Sequence, residues 1–423
     1  MAGQVYDFQA AGPVLKQKYE SKPVENGFLQ DHTLLADVAK EENASGAAFQ
    51  IDVKSAFTST RNVSVGGALS NGAPDQYVAF NVLNIYKDFV LALLSGEAVD
   101  AVQEDEGGMI DLLSESIDGA KESGYESQAQ WLHSNGGGMR GQVSNSSYAT
   151  SICTLTNVGD TLKFWQGQVI QASVANDDGA GGLGVAVTQP LPGTLTVYGV
   201  DYQAGTVTFT TNMATGIPLL VQNSGLFAVN DYAQGFLGLA AWNPVTAPST
   251  VANGGTLFLN VDRGRNVVGL AGWRFTGGGS PYENTITKAL ARMSQFRAQP
   301  SDGYMNHIDW AQFANTQNAK VIIDKGKTPA VSNADLSFET LTVMGPKGAV
   351  RIKPDVNVVQ GTMRLVNHKT LYLKSNGKLV RPVRNWIGSM WLPSWTDDIL
   401  QARFVTRSFL VSRRPMDLGI ITF

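Results

Sequence analysis

In AFQIDVKSAF, Ala48 to Phe57, apolar and polar residues alternate. That period of two is the mark of a half-buried strand. The alternation resumes in QYVAFNVLNIYKDFVLALL, Gln76 to Leu94. Between the two lies STRNVSVGGALSNGAPD, rich in Gly, Asn, Ser and Pro, which reads as a turn region. The pair predicts a long hairpin with arms of about 15 residues, roughly 50 Å at about 3.3 Å per residue. A body of about 300 residues has a radius of gyration of roughly 19 Å, so the ribbon should project. A projecting two-stranded ribbon is marginal alone in water and needs a neighbour.

The period then changes. From Glu106 to Asn135, Ile110, Leu113, Ile117, Ala120, Gln128 and Trp131 recur at helical spacing, with Glu115, Glu122 and Glu126 on other faces. This predicts a helix of roughly 40 Å. Gly119 and Gly124 weaken it by about 1 kcal/mol each and mark a bend or close packing. A second helix is predicted over Tyr282 to Arg297, with Ser280 as N-cap, Pro281 at the first position and Pro300 beyond its end. Ile286, Leu290, Met293 and Phe296 line its apolar face.

Tyr148 to Gly235 holds short β-rich runs: SICTLT, GQVIQASVA, GVAVTQ, GTLTVYGVDY, GTVTFTT, IPLLVQ and LFAVND. Their spacing suggests a small β-barrel or sandwich. Further strands are expected in KVIID, LTVMGPKGAVRIKP, HKTLYLKSNGKLVRP (with SNG as a hairpin turn) and RFVTRSFLVSRRP. The class is α+β.

Composition adds constraints. The chain has 423 residues, 43% hydrophobic and 16% charged, enough apolar material for a packed core. Its net charge of −4 is unevenly placed. Ser95 to Gln130 carries ten acids and one Lys, Lys121, whereas Lys347 to Phe423 carries thirteen Lys and Arg against four acids. Two surfaces with different neighbours are implied. The single cysteine, Cys153, excludes a disulfide framework within the chain and reads as an apolar filler of its strand. No run is apolar enough to span a membrane, and MAGQVYDFQ has no secretory pattern, so a reducing cytoplasm is expected.

The glycine run NGGGMRG, Asn135 to Gly141, matches G-x-G-x-x-G, as does Gly179 to Gly184. A dinucleotide fingerprint needs a strand before and a helix after. Here the order is reversed, so the glycines read as a helix stop and hinge. The phosphate-loop ending Lys325-Gly326-Lys327-Thr328 lacks its upstream glycine, since Val321 stands there. His32, His133, His307 and His368 are scattered. His307 and Asp309 lack a third partner, and Asp397-Asp398 read as exposed charge. Trp386, Trp391 and Trp395 read as packing. No catalytic, cofactor-binding or metal site is assigned.

The order of parts resembles the major capsid protein of tailed double-stranded DNA phages, the Hong-Kong-97-like fold. LKQKYESKPVENGF before LLADV is similar to that family's N-terminal arm, and WLHSNGGGMRGQV to the end of its long helix. The helix Ser280 to Arg297 followed by Met305-Asn306-His307-Ile308-Asp309-Trp310 resembles the axial-domain helix and its M-N-x-x-D-W signature. SRRPMDLGIITF resembles the last peripheral-domain strand.

The resemblance implies an N-terminal arm (1–47), an E-loop hairpin (48–84), a peripheral region (85–147) with a spine helix (106–135), an inserted β domain (148–235), an axial domain (236–402) and final strands returning to the peripheral domain (403–423). It implies pentamers and hexamers of the chain in an icosahedral shell around double-stranded DNA, held without sequence specificity. Portal and decoration proteins are implied partners, with no membrane and no cofactor. The arm starts near Met1, so scaffolding is expected from a separate protein. Thr58 to Phe80 holds no Lys, which makes a covalent cross-link at the hairpin tip unexpected. Gly66-Gly67, Gly107-Gly108 and Gly136 to Gly138 are expected hinges, and the acidic spine helix is expected to face the lumen. The rival readings are an encapsulin-like compartment and a β-rich tail or adhesion protein.

Overall fold

The computed structural model describes residues 32–44, 49–56, 60–72, 76–82, 86–95, 112–144, 148–180, 189–250, 257–318, 341–383, 391–393 and 399–423. Three six-stranded sheets and one two-stranded ribbon organise them.

The first sheet is built on one long strand, Ile399–Ser412. It runs antiparallel to Tyr86–Ser95, from Ile399↔Ser95 to Ser408↔Tyr86. Leu371–Ser375, Arg381–Pro382 and Trp391–Pro393 pair with successive stretches of the same strand. The SNG segment is therefore not the turn of a hairpin. Leu371–Ser375 lies on Ser408 to Ser412, Arg381–Pro382 on Phe404–Val405, and the chain merely steps along one partner. The long helix, Leu112–Leu132, packs on this sheet. Ala120 meets Ala92, Val380, Ala402 and Phe404 in a small core. Gly124 is where the fit is tightest, because a Cβ there would stand 2.9 Å from Val380 Cγ1. Gly119 faces open space. Residues 106–111, including Ile110, lie outside the described residues.

The second sheet orders its strands Trp273–Thr276, Gly419–Thr422, Thr362–Val366, Asp302–Met305, Gly348–Pro354 and Leu341–Gly345. The helix Tyr282–Gln295 covers one face, burying Ile286, Leu290 and Met293 against Met305, Ile352, Met363, Leu365 and Ile421. Its N-cap is Pro281, one residue later than Ser280, and Phe296 stays exposed against Trp273. The chain's last strand belongs here and not to the first sheet. Gly419–Thr422 lies between Trp273–Thr276 and Thr362–Val366, at the heart of the region expected to be axial.

The third sheet comprises Gly141–Gln142, Ser224–Ala228, Val169–Ala175, Leu195–Asp201, Thr206–Phe209 and Ile152–Thr154. Its two end strands meet. Val143 bridges Leu155, Ser144 N–H donates to Thr154 O at 2.8 Å, and Thr156 N–H to Gln142 O at 2.8 Å. The sheet thus closes into a small barrel around Val143, Cys153, Phe164, Ile170, Val207, Phe209 and Leu226. IPLLVQ is not one of its strands. A short helix, Met213–Gly216, leads into a turn there. Pro218 has no N–H to give a ladder, and Ile217 and Leu220 are buried while Leu219 and Val221 are exposed, which is not a period of two. GVAVTQ falls almost wholly outside the described residues, as does KVIID.

The ribbon is shorter than the sequence pattern implies. Phe49–Ala56 pairs with Gln76–Val82 from Phe49↔Val82 to Ala56↔Gln76, with an irregularity near Lys54. Tyr86–Ser95 has left for the first sheet. At about 3.3 Å per residue the paired part spans roughly 25 Å.

Candidate assembly surface

One face of the ribbon docks on its own chain. Ile51, Val53, Phe80 and Val82 are buried in the largest core with Trp242 and Val261. The Phe80 ring lies 5.1 Å from Trp242 and 6.0 Å from Phe258, both edge-on. Asn81 N–H donates to Leu259 O at 3.0 Å, and Asn266 Nδ2 to Ser55 O at 2.9 Å. The expectation that only a neighbour covers the ribbon's apolar face fails for this half.

The far end is different. The segment read as a turn contains a helix, Val65–Asn71, whose N-cap Ser64 accepts from Gly67 N–H at 3.1 Å. Val63 is fully exposed, Val65 is 79% exposed and Leu69 81% exposed. Val65 and Leu69, four residues apart, expose their side chains on the same side of this helix, with Val63 just before it. Gly66 meets nothing, whereas a Cβ on Gly67 would strike Asn62.

A second exposed surface lies on the first sheet. Phe89 and Leu91 point away from the spine helix, opposite Val405 and Arg403, and the next position on this face pairs Lys87 with Arg407. This face is apolar at its centre and basic around it, whereas the helix on the other face carries the acids.

The joint between helix, barrel and body is tightly packed. The long helix ends at Leu132, and Gly136 and Gly138 follow with φ of +95° and +86°. A Cβ on Gly137 would stand 1.8 Å from Asp178 O, and one on Gly138 2.2 Å from Asp231 O. The glycines let two loops of the barrel press against the helix exit, so Gly136 to Gly138 are a locked junction and not a hinge. Arg140 is committed as well: it pairs with Asp231 at 3.2 Å and donates to Lys163 O at 3.1 Å. Gly107-Gly108 lie outside the described residues.

The short helix Thr33–Asp37 is pinned to the second sheet. Leu34 N–H donates to Asp355 Oδ2 at 3.0 Å, and Asp37 accepts from Lys353 Nζ at 2.7 Å and Tyr304 Oη at 2.5 Å. His133, one residue past the long helix, stands 3.5 Å from Asp355 Oδ1. Asp355 therefore ties arm, spine and sheet. Burial raises its pKa, but His133 and the N–H groups of Asn357 and Leu34 outweigh that and hold it below the ordinary carboxylate value. His368 contacts Tyr304 Oη at 2.8 Å and Asp302 at 3.5 Å, and burial lowers its pKa.

Glu126 departs from the expectation of an outward acid. It is half-buried, its Oε1 has no hydrogen-bond partner, and burial pushes its carboxyl up to about 7. Cys153 is fully buried in the barrel, its thiol pushed up to about 12 by burial. His307 is exposed while Asp309 is buried, accepting from Gly361 N–H at 2.6 Å. Asn306 Oδ1 accepts from Ile308 N–H at 3.0 Å at the start of the helix His307–Asn318. The M-N-x-x-D-W segment is thus a cap plus a loop anchor. Among the described residues no three His, Cys, Asp or Glu are grouped to hold a metal. Lys325 to Thr328, Trp386, Trp395 and Asp397-Asp398 lie outside the described residues.

The fold taken as a whole matches a known one. The capsid asymmetric unit of cyanophage A-1(L) aligns at a TM-score of 0.58 and 13% identity, covering 97% of each chain. The chain has the Hong-Kong-97-like fold of tailed-phage capsid proteins. Other similar structures are the capsid of a native GTA particle (TM-score 0.48, 9% identity, 99% of this chain and 98% of that one) and the holo-SrpI encapsulin complex of Synechococcus elongatus PCC 7942 (0.45, 9%, 100% and 96%). No family model matches this Hong-Kong-97-like chain, and no curated protein does.

Proposed function

We propose that this chain is a major capsid protein, forming pentamers and hexamers that close into an icosahedral shell around double-stranded DNA. The end-to-end correspondence with a cyanophage capsid chain carries this reading. The exposed tip at Val63, Val65 and Leu69 adds to it, because a head-to-tail contact repeated around a ring hides such a patch on every copy. The domain division set out from the sequence belongs to this reading, with two amendments. The barrel's sheet begins at Gly141, and Gly419–Thr422 stays with the axial strands.

The barrel is then an insertion that reinforces the shell or receives a decoration protein. Scaffolding and portal proteins complete assembly in the host cytoplasm. The remaining spine acids face the lumen and repel DNA. Shell cohesion is non-covalent, so boiled particles run as single chains in SDS.

Electron microscopy of the expressed full chain tests the reading. Closed shells are expected, with nuclease-protected DNA in particles from the native source. Shells filled with an enzyme cargo would assign an encapsulin-like compartment instead. Monomers or trimers at high concentration would rule out both.

A further inference from the structure

Three arginines converge beneath the loop Ala241–Pro244. Arg274 and Arg364 stand opposite the same residue, Ile420, on the strand between them. Their side chains therefore leave the same face of the sheet. Arg263 arrives from the short turn Arg263–Asn266, its guanidinium 4.1 Å above the Phe258 ring.

All three donate to main-chain carbonyls. Arg263 Nη1 reaches Ala241 O at 2.8 Å and Trp242 O at 3.3 Å. Arg274 reaches Pro244 O at 2.7 Å, Gly272 O at 3.1 Å and Ala271 O at 3.1 Å. Arg364 Nη1 reaches Asn243 O at 2.6 Å. These carbonyls lie at the C-terminal ends of two short helices, Leu239–Trp242 and Val267–Ala271. Such ends attract cations, which accounts for part of the arrangement.

The charges do not balance, however. A helix end carries at most about half a negative charge, so two ends supply about one against three guanidinium ions. Among the described residues no carboxylate forms an ion pair with any of the three, and nearby Asp262 pairs with Arg265 instead. About two positive charges remain uncompensated. Burial lowers all three guanidinium pKa values to about 10, and Arg274 adds repulsion at both Arg263 and Arg364. Donors are also in surplus. A guanidinium has five N–H bonds. Arg364 uses one nitrogen, Arg263 donates only from Nη1, and Arg263 Nε is buried with no partner.

We propose that Arg263, Arg274 and Arg364 form an oxyanion-binding site, taking a phosphate group or a carboxylate. Both anions offer the paired oxygens that a guanidinium fork binds bidentately. The two sources are free phosphate and an acidic side chain of an adjoining copy.

Titration calorimetry with inorganic phosphate tests this on the purified full chain, unassembled and assembled, with ionic strength held constant by chloride. One phosphate per chain is expected to bind the unassembled protein and raise its thermal midpoint. Arg364→Gln, which keeps a donor for Asn243 O, should weaken binding at least tenfold. Binding in both states identifies free phosphate as the ligand. Binding lost on assembly assigns the site to the adjoining copy, as an acidic side chain filling it would require, and the site stands. Where Arg364→Gln does not fold, Arg263→Lys carries the same expectation, since it keeps the charge and loses the fork. No saturable binding in either state, or equal binding by a folded variant, overturns the proposal.

Discussion

At the scale of single residues, glycines and one glutamate show how context sets the sign of an effect. Gly137 has Asp178 O where a Cβ would go, at 1.8 Å, so backbone has to move to admit Ala. Gly137→Ala should cost about 3 kcal/mol or more, read as a fall in the denaturant midpoint. Gly119 lies within the long helix with nothing within 4 Å. Gly119→Ala should stabilise by about 0.5–1 kcal/mol in the same experiment. Glu126 carries a pH signature. Its folded pKa of about 7 is above the unfolded value of 4.5, so between those limits the folded chain holds more of the proton. Stability from this group is full below about pH 4.5 and falls as pH rises through 7. Glu126→Gln should flatten that slope and stabilise the protein at pH 8 by on the order of 1 kcal/mol, allowing for partial exposure. A stability–pH curve that keeps its slope in the variant would assign the titration elsewhere.

At the scale of elements, the ribbon is the instructive case. Its two halves have different fates because one meets aromatic partners and the other does not. Phe80, fully buried between Trp242 and Phe258, anchors the docked half. Phe80→Ala should cost about 3–5 kcal/mol. Amide exchange in Phe49–Ala56 and Gln76–Val82 should quicken while the barrel strands keep their protection. A cost under about 1 kcal/mol would mean that the ribbon is not held there. The sequence pattern identified both strands, yet overextended them, since Tyr86–Ser95 shows the same alternation. Its partner, Ile399–Ser412, lies some 300 residues away, and no local pattern announces such a pairing. The tip helix was hidden by its Gly, Ser and Asn content, which reads as turn until Ser64 is seen to cap it.

At the scale of the whole molecule, the tip patch separates folding from assembly. Val65→Asp with Leu69→Asp alters side chains that touch little of their own chain, so circular dichroism and the thermal midpoint should stay within error. Shells should vanish from micrographs, because a buried charge is costly at an interface that has no partner for it. Shells at wild-type yield would place the assembly contact elsewhere. The basic face with Phe89, Leu91 and Arg403 is a separate surface on the far side of the sheet from the acidic helix. Of the described charges, Arg403 and Arg407 lie on that face, whereas Asp118, Glu122 and Glu126 belong to the helix on the other.

The sequence alone determined what depends on neighbours along the chain. Helical and strand periods, the reversed order of helix, glycines and strand that excluded a dinucleotide loop, and the order of parts resembling a phage capsid protein were all legible there. Tertiary structure decided what depends on residues far apart. It closed the barrel through Val143 and Leu155, placed Gly419–Thr422 between Trp273–Thr276 and Thr362–Val366 and half-buried Glu126. It also turned Gly136 to Gly138 from a hinge into a packed joint and brought Arg263, Arg274 and Arg364 to the carbonyls of one loop. The physical reason is range. Backbone propensity and apolar period act over a few residues, whereas register, burial and charge balance are set by contacts between segments that only the folded chain brings together.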